Sequence, residues 1–193
     1  KQVRNFFNLL FSVDTMMVDL DGTEVGDVYD LFKAPLDRGQ ALEQKMNVEM
    51  ADAVQDVFSA YTSKELAEMQ VQKAVPGGNG HLWSKMEIIA LALNTSNQDG
   101  RNRILEETVH PERRLTQDQL DATLDTLEKA DWDFVQSMWD MIDGYWPEIR
   151  DVTKRRTGVA PGKVDAVPVV TPYGTYRGGY YPIKYDPGLS ANA

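Results

Sequence analysis

The chain has 193 residues, 42% of them hydrophobic and 26% charged, with two histidines and no cysteine. That length suits one ordinary domain with a sizeable core, and the balance of apolar to charged residues predicts a soluble globular chain, neither disordered nor fibrous. A formal net charge of −10 excludes a nucleic-acid footprint over the whole surface, and the absence of thiols excludes disulfides and cysteine-ligated metals.

The first residue is Lys1, which predicts a segment of a longer polypeptide, and no secretory or transit pattern follows it. Phe6, Phe7, Leu10 and Phe11 share an apolar face, so residues 1–20 predict one or two short helices. A turn at Asp21-Gly22-Thr23 leads into residues 26–61, where Leu42, Met46, Met50, Val54, Val57, Phe58 and Tyr61 recur near helical spacing. Pro35 is expected to divide this stretch into a short helix and a long one. Ser63 is the candidate cap of a helix through Met69, and VPGGNG, residues 75–80, reads as a loop. The next helix, Trp83 to Asn94, contains the longest apolar run, Ile88 to Leu93. This run has no polar face and should be buried on several sides, but it is far below the ~20 residues that a membrane helix needs. A turn at Ser96 to Gly100 precedes a short helix, Arg101 to Thr108, which ends before Pro111.

Thr116 and Gln119 form a capping-box pattern that opens a helix to about Lys129. After it, Trp132, Val135, Trp139, Ile142, Trp146 and Ile149 mark one apolar stripe, with Phe134, Met138, Met141 and Tyr145 beside it. Asp133, Gln136, Ser137, Asp140 and Asp143 are left for a narrow exposed face. The helix is expected to run from Trp132 to Arg150, bend at Pro147 and end before Gly158. From Val164 the pattern turns extended: Ala166 to Val170 and Tyr180 to Tyr185 favour strands, with a turn signal at Pro172-Tyr173-Gly174. The expected fold is therefore mainly α. An irregular helical bundle over residues 1–163 carries a short C-terminal β-hairpin or extended arm, residues 164–193, packed on it.

VDLDGT, residues 18–23, matches the nucleophile signature of haloacid-dehalogenase-like phosphatases, with Asp19 as nucleophile, Asp21 as acid/base and Mg²⁺ between them. That chemistry needs the tip of a parallel strand in an α/β domain, whereas the chain downstream is helical, so a helix end followed by a turn is the simpler reading. Asp118, Asp121 and Asp125 share one helix side as a solvated face, the tryptophans read as core, and His81 and His110 lie beside loops without a nucleophile to serve. Neither a catalytic set nor a cofactor is expected.

The densest feature is TPYGTYRGGYYPIKYD, residues 171–186, with five tyrosines, three glycines and one arginine. Between Glu148 and Asp186 seven basic residues face four acidic ones, so this end is locally positive. Tyr173, Tyr176, Arg177, Gly178, Gly179, Tyr180, Tyr181 and Lys184 form a candidate contact surface open to two readings. With Arg150, Lys154, Arg155 and Arg156 they could stack single-stranded bases and pair phosphates. Alternatively, the tyrosines lie on the helices and the glycines let the backbone come close, so that the arm clamps the tryptophan helix.

Three stretches, KMEIIALALNTSNQDGRNRI, ADWDFVQSMWDMIDGYWPEI and TGVAPGKVDAVPVVTPYGTYRGGYYPIKYDP, together cover most of Lys85 to Pro187. They resemble a helical region of the very large polyvalent or internal virion proteins of tailed bacteriophages and related mobile elements, which are thought to enter the host with the DNA. The resemblance implies a non-enzymatic structural or interaction module acting in virion assembly, genome delivery or early protection of entering DNA. Its implied partners are other virion proteins, other domains of the parent chain, and DNA. The implied location is the virion, then the host cytoplasm or envelope. It supplies no catalytic residue to carry over.

Overall fold

Short polar side chains set most of the helix starts. The structure, a computed structural model, describes residues 16, 19–22, 26–106 and 114–182, and among these it contains seven α-helices and two small antiparallel strand pairs. The chain divides into two compact units between Ala53 and Val54.

In the first unit a π-helical turn, Tyr29–Lys33, runs directly into α1, Ala34–Phe58. Pro35 sits in the first turn of α1, where its missing N–H removes one donor to the preceding turn, so the change from π to α hydrogen bonding falls just before it. α1 is amphipathic as its spacing predicts, yet Leu42, Met46 and Met50 are exposed. Periodicity establishes which face is apolar, and packing is found only farther along, at Val57 and Phe58 in the second unit.

The second unit begins with the end of α1 and α2, Ser63–Glu68. The cap of α2 is Thr62, one residue before the expected Ser63, because Glu65 is placed to return a bond to the Thr62 N–H. The VPGGNG loop joins two strands that the sequence did not announce, β1, Lys73–Ala74, and β2, Leu82–Trp83, and the Trp83 indole donates back to the Gly78 carbonyl at 3.0 Å. Ser84 with Glu87 caps α3, Lys85–Leu93. Asn97 caps α4, Gln98–Leu105, which therefore starts earlier than expected. Thr116 and Gln119 form the expected capping box at the start of α5, Gln117–Leu124. That helix stops short of Lys129, because a turn at Asp125 and Thr126 lets Leu127 enter the core before α6, Lys129–Gly144, begins.

Helices of about nine residues are not stable alone. Burial holds these together: Ile88, Ile89, Ala92 and Leu93 of α3, Leu120 and Leu124 of α5, and Trp132, Val135 and Trp139 of α6 form one core with Leu115 and Leu127. Each large apolar side chain removed from water contributes about 1.5–3 kcal/mol. The tryptophan helix is two helices. Pro147 cannot donate to the carbonyl four residues back, so α6 ends at Gly144 and α7, Trp146–Thr157, restarts with the proline in its first turn. The buried stripe ends with α6, and Ile149 and Val152 are exposed. Gly158, at φ 78°, closes α7 through its N–H to the Lys154 carbonyl.

The C-terminal hairpin pairs β3, Val169–Thr171, with β4, Gly174–Tyr176, across the Pro172-Tyr173 turn. The returning strand is thus residues 174–176, and residues 180–182 lie in no strand, because a two-residue turn fixes pairing with the segment that immediately follows it. The expected helices in residues 1–15, together with His110, Pro111 and residues 183–193, lie outside the described residues.

Candidate functional site

The arm is seated along the polar edge of α6. The Tyr176 ring stacks on Trp132 with centroids 5.7 Å apart, and its hydroxyl donates to Asp133 Oδ1 at 2.9 Å. Arg177 Nη2 donates to both Asp140 oxygens at 2.8 Å, and the Gln136 side-chain amide pairs with the N–H and the carbonyl of Gly178, both at 3.3 Å. Lys163 Nζ reaches Asp143 Oδ2 at 3.0 Å. Three residues of the face that the sequence left to solvent, Asp133, Gln136 and Asp140, therefore each hold a point on the arm, and Asp143 holds the residue just before it. On the other side, Val167 N–H donates to the Ser96 carbonyl at 2.6 Å, and the Ser96 hydroxyl donates to the Gly179 carbonyl.

The glycines belong to this seat. Gly178 and Gly179 are buried, and a Cβ on Gly178, at φ 76°, would lie 2.6 Å from the Val167 carbonyl oxygen. Tyr181 packs against the core, while Tyr173 and Tyr180 are exposed residues, at 47% and 37% of full exposure. Of the eight candidate residues, five are thus placed by the arm's fold, Tyr173 and Tyr180 are exposed, and Lys184 lies outside the described residues. Burial, then Asp133, pushes the Tyr176 phenol up to about 12. Lys129, and after it the opposing effect of burial and the Tyr176 bond, leave Asp133 below the usual carboxylate range.

A second site escaped sequence reasoning. Asp131, 1% exposed, takes a bond from the Tyr61 hydroxyl at 2.9 Å, from Lys85 Nζ at 2.9 and 3.3 Å, and from the Glu128 N–H at 2.9 Å. The segment after α1 and the starts of α3 and α6 meet at this one carboxylate. Burial and the Asp131 bond raise the Tyr61 pKa. Burial works against the Lys85 charge, but Asp131, with Glu128 3.6 Å away, outweighs it and raises that pKa too. A protonated phenol and a charged ammonium on a saturated carboxylate suit a structural junction better than proton transfer. The signal available in the sequence was position: Asp131 stands one helical turn before Phe134, at the head of an apolar stripe.

The junction forms one wall of a cleft of about 420 Å³. Its buried lining is Asp131 with the apolar Met69, Trp83, Ile88 and Leu127, and its exposed lining carries Glu65, Glu68, Lys73 and Glu128.

The remaining candidates are placed more simply. Asp21 accepts from the Val28 and Tyr29 N–H groups, both at 2.9 Å, as a helix cap, and no parallel strand occurs among the described residues near Asp19. Asp118, Asp121 and Asp125 are exposed. No helix among the described residues is long and apolar enough to cross a membrane. No family model, curated protein or solved structure matches the chain.

Proposed function

We propose that the chain is a non-enzymatic structural and interaction module of a large phage-encoded protein. It would act in virion assembly, genome delivery or early protection of entering DNA, and would be found in the particle and then in the host cytoplasm or envelope. The observation that supports this reading is the seat of the arm. Tyr176 to Gly179, within the last of the three stretches that carry the resemblance, are engaged with α6 and the Ser96 loop, which is the use expected of a rigid scaffold. Mass spectrometry of purified particles made by the encoding element tests the reading. Peptides of this chain should be found in the particle, and their confinement to the producing cell would count against it.

A second reading, nucleic-acid binding, is supported by α7. Lys154, Arg155 and Arg156 are exposed in its last turn and make no ion pair among the described residues, whereas Arg177 is held by Asp140. DNA binding by this route falls steeply with salt and is lost on reversing those three charges, while Arg177→Ala leaves it nearly intact. Fluorescence anisotropy with labelled single- and double-stranded DNA at low and physiological salt decides it. Absence of binding at low salt retires the reading.

A further inference from the structure

We infer that the cleft beside Asp131 is a docking site for a peptide segment carrying a lysine or arginine next to an aliphatic residue, presented by a partner polypeptide. The inference is independent of whether the chain travels in a virion.

The volume of about 420 Å³ lies within the roughly 300–1,000 Å³ usual for ligand clefts. The cleft has two zones. Its depth is apolar, formed by Met69, Ile88, Leu127 and the Trp83 ring, which the Gly78 carbonyl fixes in place. Its exposed lining is acidic, and the balance there follows from the pairing already described. Lys85 is taken up by Asp131, so its charge is cancelled inside the wall. Glu65 accepts from the Thr62 N–H and hydroxyl but keeps its charge. Glu68 stands 3.8 Å from Lys64, and Glu128, the residue that caps α6, stands 3.6 Å from Lys85. Against these three carboxylates stands the Lys73 ammonium, which makes no ion pair among the described residues.

A ligand that complements both zones has an aliphatic body and a cationic tip. Lysine and arginine side chains have this form, laying their methylene stems on apolar surface while the charge stays near water. A flanking leucine or valine adds apolar area at depth, and exposed Val71 extends the apolar lining outward. An acidic or phosphorylated peptide would meet the three carboxylates, and the net charge of −10 repels it at longer range.

The test is a ¹⁵N-detected NMR titration of the whole 193-residue chain with acetyl-Leu-Arg-Leu-amide, and with acetyl-Leu-Glu-Leu-amide as the opposite-charge probe. The expected result is saturable shifts at the Trp83 indole N–H and the Lys85 amide with the arginine peptide only. Glu68→Gln with Glu128→Gln weakens that binding about fivefold, the loss of two solvent-exposed charge contacts. Both residues are exposed and glutamine keeps an oxygen that can cap α6, so thermal unfolding of the double variant should stay close to the parent and rule out a folding defect. Equal shifts from both peptides, shifts untouched by the double variant, or no saturable shift would each overturn the inference.

Discussion

The backbone of Gly179 rests directly on Trp139: a Cβ built on the glycine would stand 2.4 Å from the tryptophan Cβ and 2.8 Å from its Cγ. Trp139 is fully buried, with its indole donating to the Leu93 carbonyl at 3.0 Å, so the ring has no room to yield. The arm thus completes the cover over the center of the core, and the Gly178-Gly179 pair is the place where only a bare backbone fits.

Gly179→Ala is therefore expected to cost about 1–3 kcal/mol, the usual range for forcing a methyl into a packed core. The comparison is Gly144→Ala at the end of α6, where an added Cβ meets nothing within 4 Å. That change should be neutral or stabilising by roughly 0.4–1 kcal/mol, through the smaller entropy of the unfolded chain. Urea unfolding of the two variants reads the difference. Equal stability would mean that the arm is not seated on Trp139.

Arg177 and Tyr176 should separate in the same assay. The Arg177 side chain is 77% exposed, so Arg177→Ala removes a surface ion pair of about 0.5 kcal/mol, and that loss shrinks as salt is raised. Tyr176→Ala also removes the stack on Trp132, an aromatic pairing of about 0.5–1.5 kcal/mol beyond the area it buries. Limited proteolysis should cut the arm sooner in Tyr176→Ala than in Arg177→Ala. The reverse order would place the arm's hold on the ion pair.

Much of the fold was legible because its signals are local. The Thr116 capping box, the buried run in α3, the tryptophan stripe and the Gly158 stop each lie within a few residues of the feature they specify. What was not legible depends on pairs far apart in the chain. Asp133 and Asp140 look like any solvated helix face until Tyr176 and Arg177 are brought to them across 43 and 37 residues. Tyr61 and Asp131, 70 residues apart, carry no local mark of their partnership. Leu42, Met46 and Met50 show the converse, a clear apolar period whose face stays exposed.

At the Tyr61–Asp131–Lys85 junction, Asp131→Asn is expected to cost about 2–3 kcal/mol. This is below the usual cost of severing a buried ion pair, because Lys85 keeps about a third of its side chain in water. Tyr61→Phe removes one hydrogen bond to a charged group, about 1.5 kcal/mol, while Lys85 and the Glu128 N–H still satisfy Asp131. Replacing both members of the pair, Asp131→Leu with Lys85→Met, should cost less than Asp131→Leu alone, since no charge is left without its partner. A double-mutant cycle by chemical denaturation measures the coupling, and simple additivity would dissolve the junction as a unit.

The same hydrogen bonds predict an alkaline limb of stability. Tyr176 holds its proton up to about 12 in the folded chain against an ordinary value of 10.0, and Tyr61 shifts the same way. The folded state then binds more protons than the unfolded one at alkaline pH, so this contribution is complete below pH about 10 and is lost as pH rises through the folded values. Asp133 has the opposite sign. Its lowered pKa contributes above the ordinary carboxylate range and is lost as pH falls through the folded value, a small effect at so exposed a group. Tyrosinate absorbance should show a late-ionising component, part of which is removed by Tyr176→Phe and part by Tyr61→Phe. If all eight tyrosines ionise together before the chain unfolds, neither phenol is held by its carboxylate.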